Sequence, residues 1–222
     1  MGQGYLGRIY RAVVDAVKYL DRLTNYKVGN LARKITNVNT KHYWDKYLHA
    51  RGDFWRDFPY QFLLEELPKK EKFTLLDIGC ALGDGCRLLK KHFPLADISG
   101  ADLSQVGIEK ARSKSQDIEY FTFDLNKQDI PQKYDYISLI HILEHFDDPF
   151  PIIDKCLKAV TRAVYISTPY GEKFTDPRLY WKGEHRYLFN EQTFAKYNCT
   201  VLKVTERIEV VGTKYILYKI VP

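Results

Sequence analysis

Three carboxylates occupy equivalent places in this sequence. Asp77, Asp102 and Asp124 each close a short apolar run: Leu75-Leu76-Asp77, Gly100-Ala101-Asp102 and Phe121-Thr122-Phe123-Asp124. Such runs read as buried strands, and an acid at the strand end can accept hydrogen bonds from a ligand at the sheet's carboxyl edge. Between the first two acids lies Gly79-Cys80-Ala81-Leu82-Gly83, a turn of small residues that lets backbone approach a ligand closely. Asp77 suits the ammonium of an amino-acid-bearing ligand, directly or through water. Asp102 suits a pair of ribose hydroxyls. Asp124 suits an adenine amino group, with Leu103 and Leu125 over the ring faces. One strand-end aspartate would be no more than a cap for the next helix. Three in succession, behind such a turn, describe a cofactor cradle. A dinucleotide fingerprint fails on spacing: G-x-G-x-x-G counted from Gly79 puts glycine where Ala81 and Asp84 stand.

The elements that position these acids follow from periodicity. Strands are predicted at 73–78, 97–101, 118–123, 134–140 and 163–167, alternating with helices at 86–92, 105–114, 151–160 and 191–197. Alternation over about 100 residues predicts an α/β fold with a doubly wound parallel sheet. Two further β-rich runs, 201–210 and 214–221 around Gly212, predict a hairpin and an antiparallel last strand. Upstream, helices are predicted at 6–23, from Thr40 as N-cap to His49, and at 54–67. The organisation expected is an N-terminal helical segment, 1–68, and a cofactor-binding domain, 69–222.

These residues resemble those of class I S-adenosylmethionine-dependent methyltransferases, over roughly Phe73 to Val221. The resemblance rests on Asp77-x-Gly79-x-x-x-Gly83, on Asp102 and Asp124, and on Tyr134-Asp135-Tyr136-Ile137 leading into Leu143-Glu144-His145. It departs at Ala81, where the family usually has glycine; alanine is tolerable there if φ stays negative. The family fold implies a Rossmann-like sheet of seven strands, the last antiparallel. It also implies S-adenosyl-L-methionine as cofactor, S-adenosyl-L-homocysteine as product, and a cofactor site of Asp77, Gly79, Cys80, Ala81, Gly83, Asp102, Leu103, Asp124, Leu125 and His141. Leu143-Glu144-His145-Phe146-Asp147-Asp148-Pro149, Ser167-Thr168-Pro169-Tyr170 and His185 look like the branch acting on small molecules, quinone precursors and saccharides. Ser167-Thr168-Pro169-Tyr170 follows the fifth strand, whereas the tetrapeptide of DNA amino-methyltransferases follows the fourth. A nucleic-acid substrate is therefore not expected.

The resemblance places His145 beside the transferred methyl group. Imidazole titrates near neutral pH, so His145 is the first candidate for a general base on an alcohol acceptor. Its other reading is a ring that orders the loop by bonding to backbone. His185, on the irregular segment 169–189, is the second candidate, and Glu144 either orients an imidazole or satisfies a helix N-terminus. His42, His49 and His92 read as structural. Tyr170, Tyr180, Trp181 and Tyr187, with Lys173, Arg178, Lys182 and Arg186 nearby, suit either a saccharide or a packed loop. Asp147 and Asp148 are oxygen donors, but without further clustered ligands no metal is expected.

Composition narrows the class. The chain has 222 residues, 45% hydrophobic and 28% charged, which excludes disordered, collagen-like and coiled-coil classes. The net charge of +6 resides in residues 1–50, which hold nine Lys/Arg against three Asp/Glu, while the remainder balances. That argues against a basic nucleic-acid groove through the core. Four dispersed cysteines, none in C-x-x-C, point to a reducing cytoplasm rather than a disulfide framework. The opening residues lack the layout of a signal peptide. Residues 5–23 form an amphipathic basic stretch, read either as a helix packed on the domain or as an anchor on an anionic membrane. Three functions stand open: O-methylation of a saccharide or glycan hydroxyl, methylation of a quinone or lipid-like small molecule at the membrane, and a catalytically silent cofactor-binding module.

Overall fold

In a computed structural model the described residues are 19, 38–50, 60–172, 184–206 and 214–222. The predictions for residues 6–18, 20–23, 54–59 and 207–213 lie outside them. So do Lys173, Arg178, Tyr180, Trp181 and Lys182. The chain divides into two compact units, 1–38 with 173–184, and 39–172 with 185–222. The second unit is described below.

Its elements run α1 (Lys41–Ala50), α2 (Gln61–Glu66), β1 (Thr74–Ile78), α3 (Asp84–His92), β2 (Asp97–Asp102), α4 (Gln105–Lys114), β3 (Glu119–Thr122), β4 (Tyr134–Ile140), a 3₁₀ turn (Leu143–His145), α5 (Phe150–Ala159), β5 (Val160–Tyr170), β6 (Cys199–Glu206) and β7 (Lys214–Ile220). The seven strands lie in the order β3-β2-β1-β4-β5-β7-β6. β1 to β5 pair in parallel, and β7 runs antiparallel between β5 and β6. The doubly wound sheet with an antiparallel C-terminal hairpin is therefore present, as the alternation predicts. The boundary at 68/69 falls between α2 and β1, and both α1 and α2 lie in the same unit as the sheet.

Helices cover both faces, so β1 is apolar on both sides. Leu75 joins one core cluster, with Phe62, Leu63, Leu89 and Ile108. Leu76, the next residue, points the opposite way into the other, with Ile153, Phe194 and Tyr218. Ser104 caps α4, its hydroxyl accepting the Gly107 amide at 3.1 Å. This cap fixes where α4 starts, directly behind Asp102.

One predicted helix is absent. Residues 191–197 form successive turns, with amide-to-carbonyl bonds spaced by three residues from Asn190 to Phe194. Asn190 accepts the Gln192 amide through its side chain, and Thr193 accepts the Asn190 amide, so local side chains take the backbone's bonds. Phe194 is fully buried and pins the segment to the sheet.

Candidate active site at the carboxyl edge of the sheet

The turn after β1 is the first part of the site. Gly79 and Gly83 have φ of +81° and +74°. A Cβ on Gly79 would stand 1.8 Å from Ile142 Cδ1, so the position admits only glycine. Ala81 stands at φ +50°. The expectation of a negative φ there is corrected: alanine adopts the left-handed conformation that glycine would take without strain. What holds it is Asp102, whose Oδ2 accepts the Ala81 amide at 2.8 Å while Oδ1 accepts the Ser104 amide at 2.8 Å. Burial raises the Asp102 pKa, against the lowering effect of these backbone bonds.

Asp77 ends up differently from the expected ammonium ligand. It is fully buried, and its oxygens accept from Ser138 Oγ at 2.7 Å and Tyr60 Oη at 2.8 Å. The Cys86 thiol adds a long bond at 3.5 Å. Burial pushes the carboxyl up to about 6, against the pull of these donors. Asp77 thus braces β1 against β4 and the segment before α2. Cys80 is buried behind the turn. Asp124 is partly exposed, accepting the Asn126 amide at 3.1 Å and pairing with Lys127 at 3.0 Å. Leu103 is half-buried, whereas Leu125 is 5% exposed and packed in the core rather than free to cover a ring.

The second part of the site lies beyond β4. His141 has φ +57°, and its Nδ1 lies 3.1 Å from Glu144 Oε1. Its ring meets Tyr215 of β7 edge-on at 4.6 Å. Glu144 is 1% exposed. Burial would raise its pKa, yet the His141 bond and the charges of His141, His145 and His185 bring it down to about 2. His145 and His185 lie with ring centroids 5.4 Å apart, and the Trp44 ring stands 5.0 Å from His145. The structure therefore gathers the three residues assigned to chemistry: one donor atom each of Glu144, His145 and His185 lies within 4.8 Å of the other two. The absence of clustered metal-type ligands, expected from sequence, is corrected by this arrangement. Asp147 is instead paired with the buried Arg186 at 2.6 Å.

Four contributors escaped the sequence reading. Glu172 Oε2 lies 2.8 Å from His185 Nδ1. Tyr60 and Ser138 hold Asp77, and Asp45 on α1 accepts from Ser104 Oγ at 2.6 Å, tying α1 to the start of α4. Only Glu172 carried a signal, as an acid two residues beyond the apolar run that became β5. Tyr170 and Tyr187, offered to a saccharide, are committed here: Tyr170 bonds Glu191 at 2.5 Å, and Tyr187 packs on Phe150 and Phe189.

Comparison with known proteins agrees with this architecture. Residues 47–201 match a family model described as a methyltransferase domain. Trans-aconitate 2-methyltransferase from Escherichia coli is 29% identical over 134 residues, covering 60% of this chain and 53% of that protein. Malonyl-[acyl-carrier protein] O-methyltransferase from Acetivibrio thermocellus is 27% identical over 97 residues, 43% of this chain and 34% of that protein. The matches thus span about a third to a half of these relatives' length. Among solved structures, magnesium protoporphyrin IX methyltransferase from Synechocystis with bound SAH superposes with a TM-score of 0.58 at 17% identity, covering 87% of this chain and 99% of that one. With a matching model over more than half its residues and a sheet in the expected order, the chain belongs to the methyltransferase-domain family.

Proposed function

We propose that this chain binds S-adenosyl-L-methionine at the Gly79–Gly83 turn and transfers its methyl group to a hydroxyl oxygen of a saccharide or glycan intermediate. The residues fit the cofactor. Gly79 and Gly83 let the turn after β1 take left-handed backbone, packed against Ile142 and Tyr120, and Asp102 and Asp124 remain partly exposed at the next two strand ends. Each Asp102 oxygen accepts one amide, and a carboxylate has about four acceptor directions, so two ribose hydroxyls can still donate to it. The cofactor supplies a methyl group already activated on sulfur.

The observation that carries the hydroxyl reading is the gathering of Glu144, His145 and His185. An alkyl alcohol must shed a proton as its oxygen bonds to carbon, and imidazole takes it. His145 is the proposed base, Glu144 stabilises the imidazolium that forms, and Glu172 orients His185. A second reading comes from the relatives, whose names describe methylation of carboxylic acids. A carboxylate acceptor needs no base, so the gathered imidazoles favour the hydroxyl.

Labelled methyl transfer into saccharide, lipid, organic-acid and nucleic-acid fractions of a source extract tests this. Alkali-stable label in the saccharide fraction is expected. Alkali-labile methyl ester in the acid fraction would replace it with the second reading.

A further inference from the structure

The geometry points to a binding site for a first-row divalent transition-metal cation formed by Glu144, His145 and His185. Two features of the cluster argue for it. Its donor set is two imidazoles and one carboxylate, a combination used by open zinc and non-haem iron sites, and one that Mg²⁺ and Ca²⁺, which want oxygen, do not select. Glu144 Oε2 is buried without a hydrogen-bond partner, a costly state for a polar oxygen that a bound cation would relieve. Its other oxygen is engaged by His141.

The surrounding bonds also have the form expected around metal ligands. Glu172 holds His185 Nδ1 at 2.8 Å, so Nε2 is the nitrogen that ring would present to a cation; a carboxylate behind a ligating imidazole fixes its direction and strengthens it as a donor. The Glu144 carbonyl accepts the Arg186 amide at 2.6 Å, so the chain next to His185 is clamped to the turn carrying Glu144 and His145. Asn39 Nδ2 bonds the His145 carbonyl at 3.1 Å. Donors about 2.1 Å from a cation lie about 3 to 3.5 Å apart, so from 4.8 Å the three side chains need to close by about 1.8 Å at most. His145 and His185 are partly exposed, which leaves a cation open to further ligands.

This inference deepens the hydroxyl reading and rests on it for its purpose. With a cation in place, the acceptor hydroxyl would enter as a ligand, and its proton would leave more readily to solvent. His145 would then serve as a ligand instead of as the base.

The test uses the whole chain stripped with a chelator and titrated with Co²⁺, followed by its d–d absorption, and with Zn²⁺ by calorimetry. S-adenosylmethionine binding is measured in parallel. One Co²⁺ per chain is expected, with the spectrum of a nitrogen- and oxygen-ligated ion, displaced by Zn²⁺. Glu144→Gln and His185→Gln should each weaken binding by about 100-fold or more, and Glu172→Gln by about 10- to 100-fold. All three should keep their S-adenosylmethionine affinity, which shows that they fold. No stoichiometric Co²⁺ binding, or binding unchanged in Glu144→Gln, overturns this site while leaving the cofactor reading intact. Cation binding without S-adenosylmethionine binding upholds the site and overturns the cofactor reading instead.

Discussion

Asp102 reaches back 21 residues to accept the amide of Ala81 at 2.8 Å, and so fixes the one alanine of the turn at φ +50°. The second strand end thereby shapes the loop after the first. The carboxylate assigned to a ribose also holds the backbone that would lie against the rest of the cofactor.

Ala81→Gly follows from this relationship. Left-handed backbone costs an L-residue about 1–2 kcal/mol, part of which glycine returns as greater freedom in the unfolded chain. The variant should gain up to about 1 kcal/mol in denaturant unfolding, with an unchanged m-value. A loss of stability would mean that φ at residue 81 is not positive in solution.

Gly79→Ala should act in the opposite direction. It adds strain at φ +81° and drives a methyl group into Ile142 Cδ1, 1.8 Å from the ideal Cβ. A cost of about 2 kcal/mol or more is expected, with loss of S-adenosylmethionine binding. The double variant with Ile142→Ala should recover only the collision and not the strain. A thermodynamic cycle showing no coupling would contradict the packing described.

Asp77 predicts a pH dependence of stability. Its folded pKa is raised from the ordinary 3.8 to about 6 by burial, so the folded state binds the extra proton between those values. Its favourable contribution is complete below about pH 4 and is lost as pH rises through 6, amounting to about 3 kcal/mol. Asp77→Asn should remove this slope, because the Tyr60 and Ser138 hydroxyls can turn to suit an amide. Urea unfolding of both proteins at pH 4.5, 6 and 7.5 measures it. Equal slopes would place the titration elsewhere.

Much of the fold was legible because buried parallel strands and amphipathic helices advertise their period. The ranges 105–114 and 134–140 match the structure residue for residue. Residues 191–197 misled because an apolar phenylalanine at helical spacing looks alike whether a helix or a chain of turns carries it. The cluster of Glu144, His145 and His185 was legible as a list of candidates but not as a constellation. His185 lies 40 residues along the chain from His145, and no local pattern encodes their meeting. Asp77 shows the opposite limit: its strand-end position was plain, yet its partners Tyr60 and Ser138 come from elements whose facing only the fold decides. Ala81 was visible as a departure, and its backbone conformation was not.

The central claim is that the turn after β1 holds the cofactor while the cluster beyond β4 handles the acceptor. Calorimetric titration of S-adenosylmethionine into the wild-type chain, Asp102→Ala and His145→Ala tests it most directly. The account predicts binding to the wild type, at least about 10-fold weaker binding to Asp102→Ala, since two charge-assisted hydrogen bonds are lost, and wild-type affinity in His145→Ala. No binding to the wild type, or an Asp102→Ala affinity equal to it, would contradict the account.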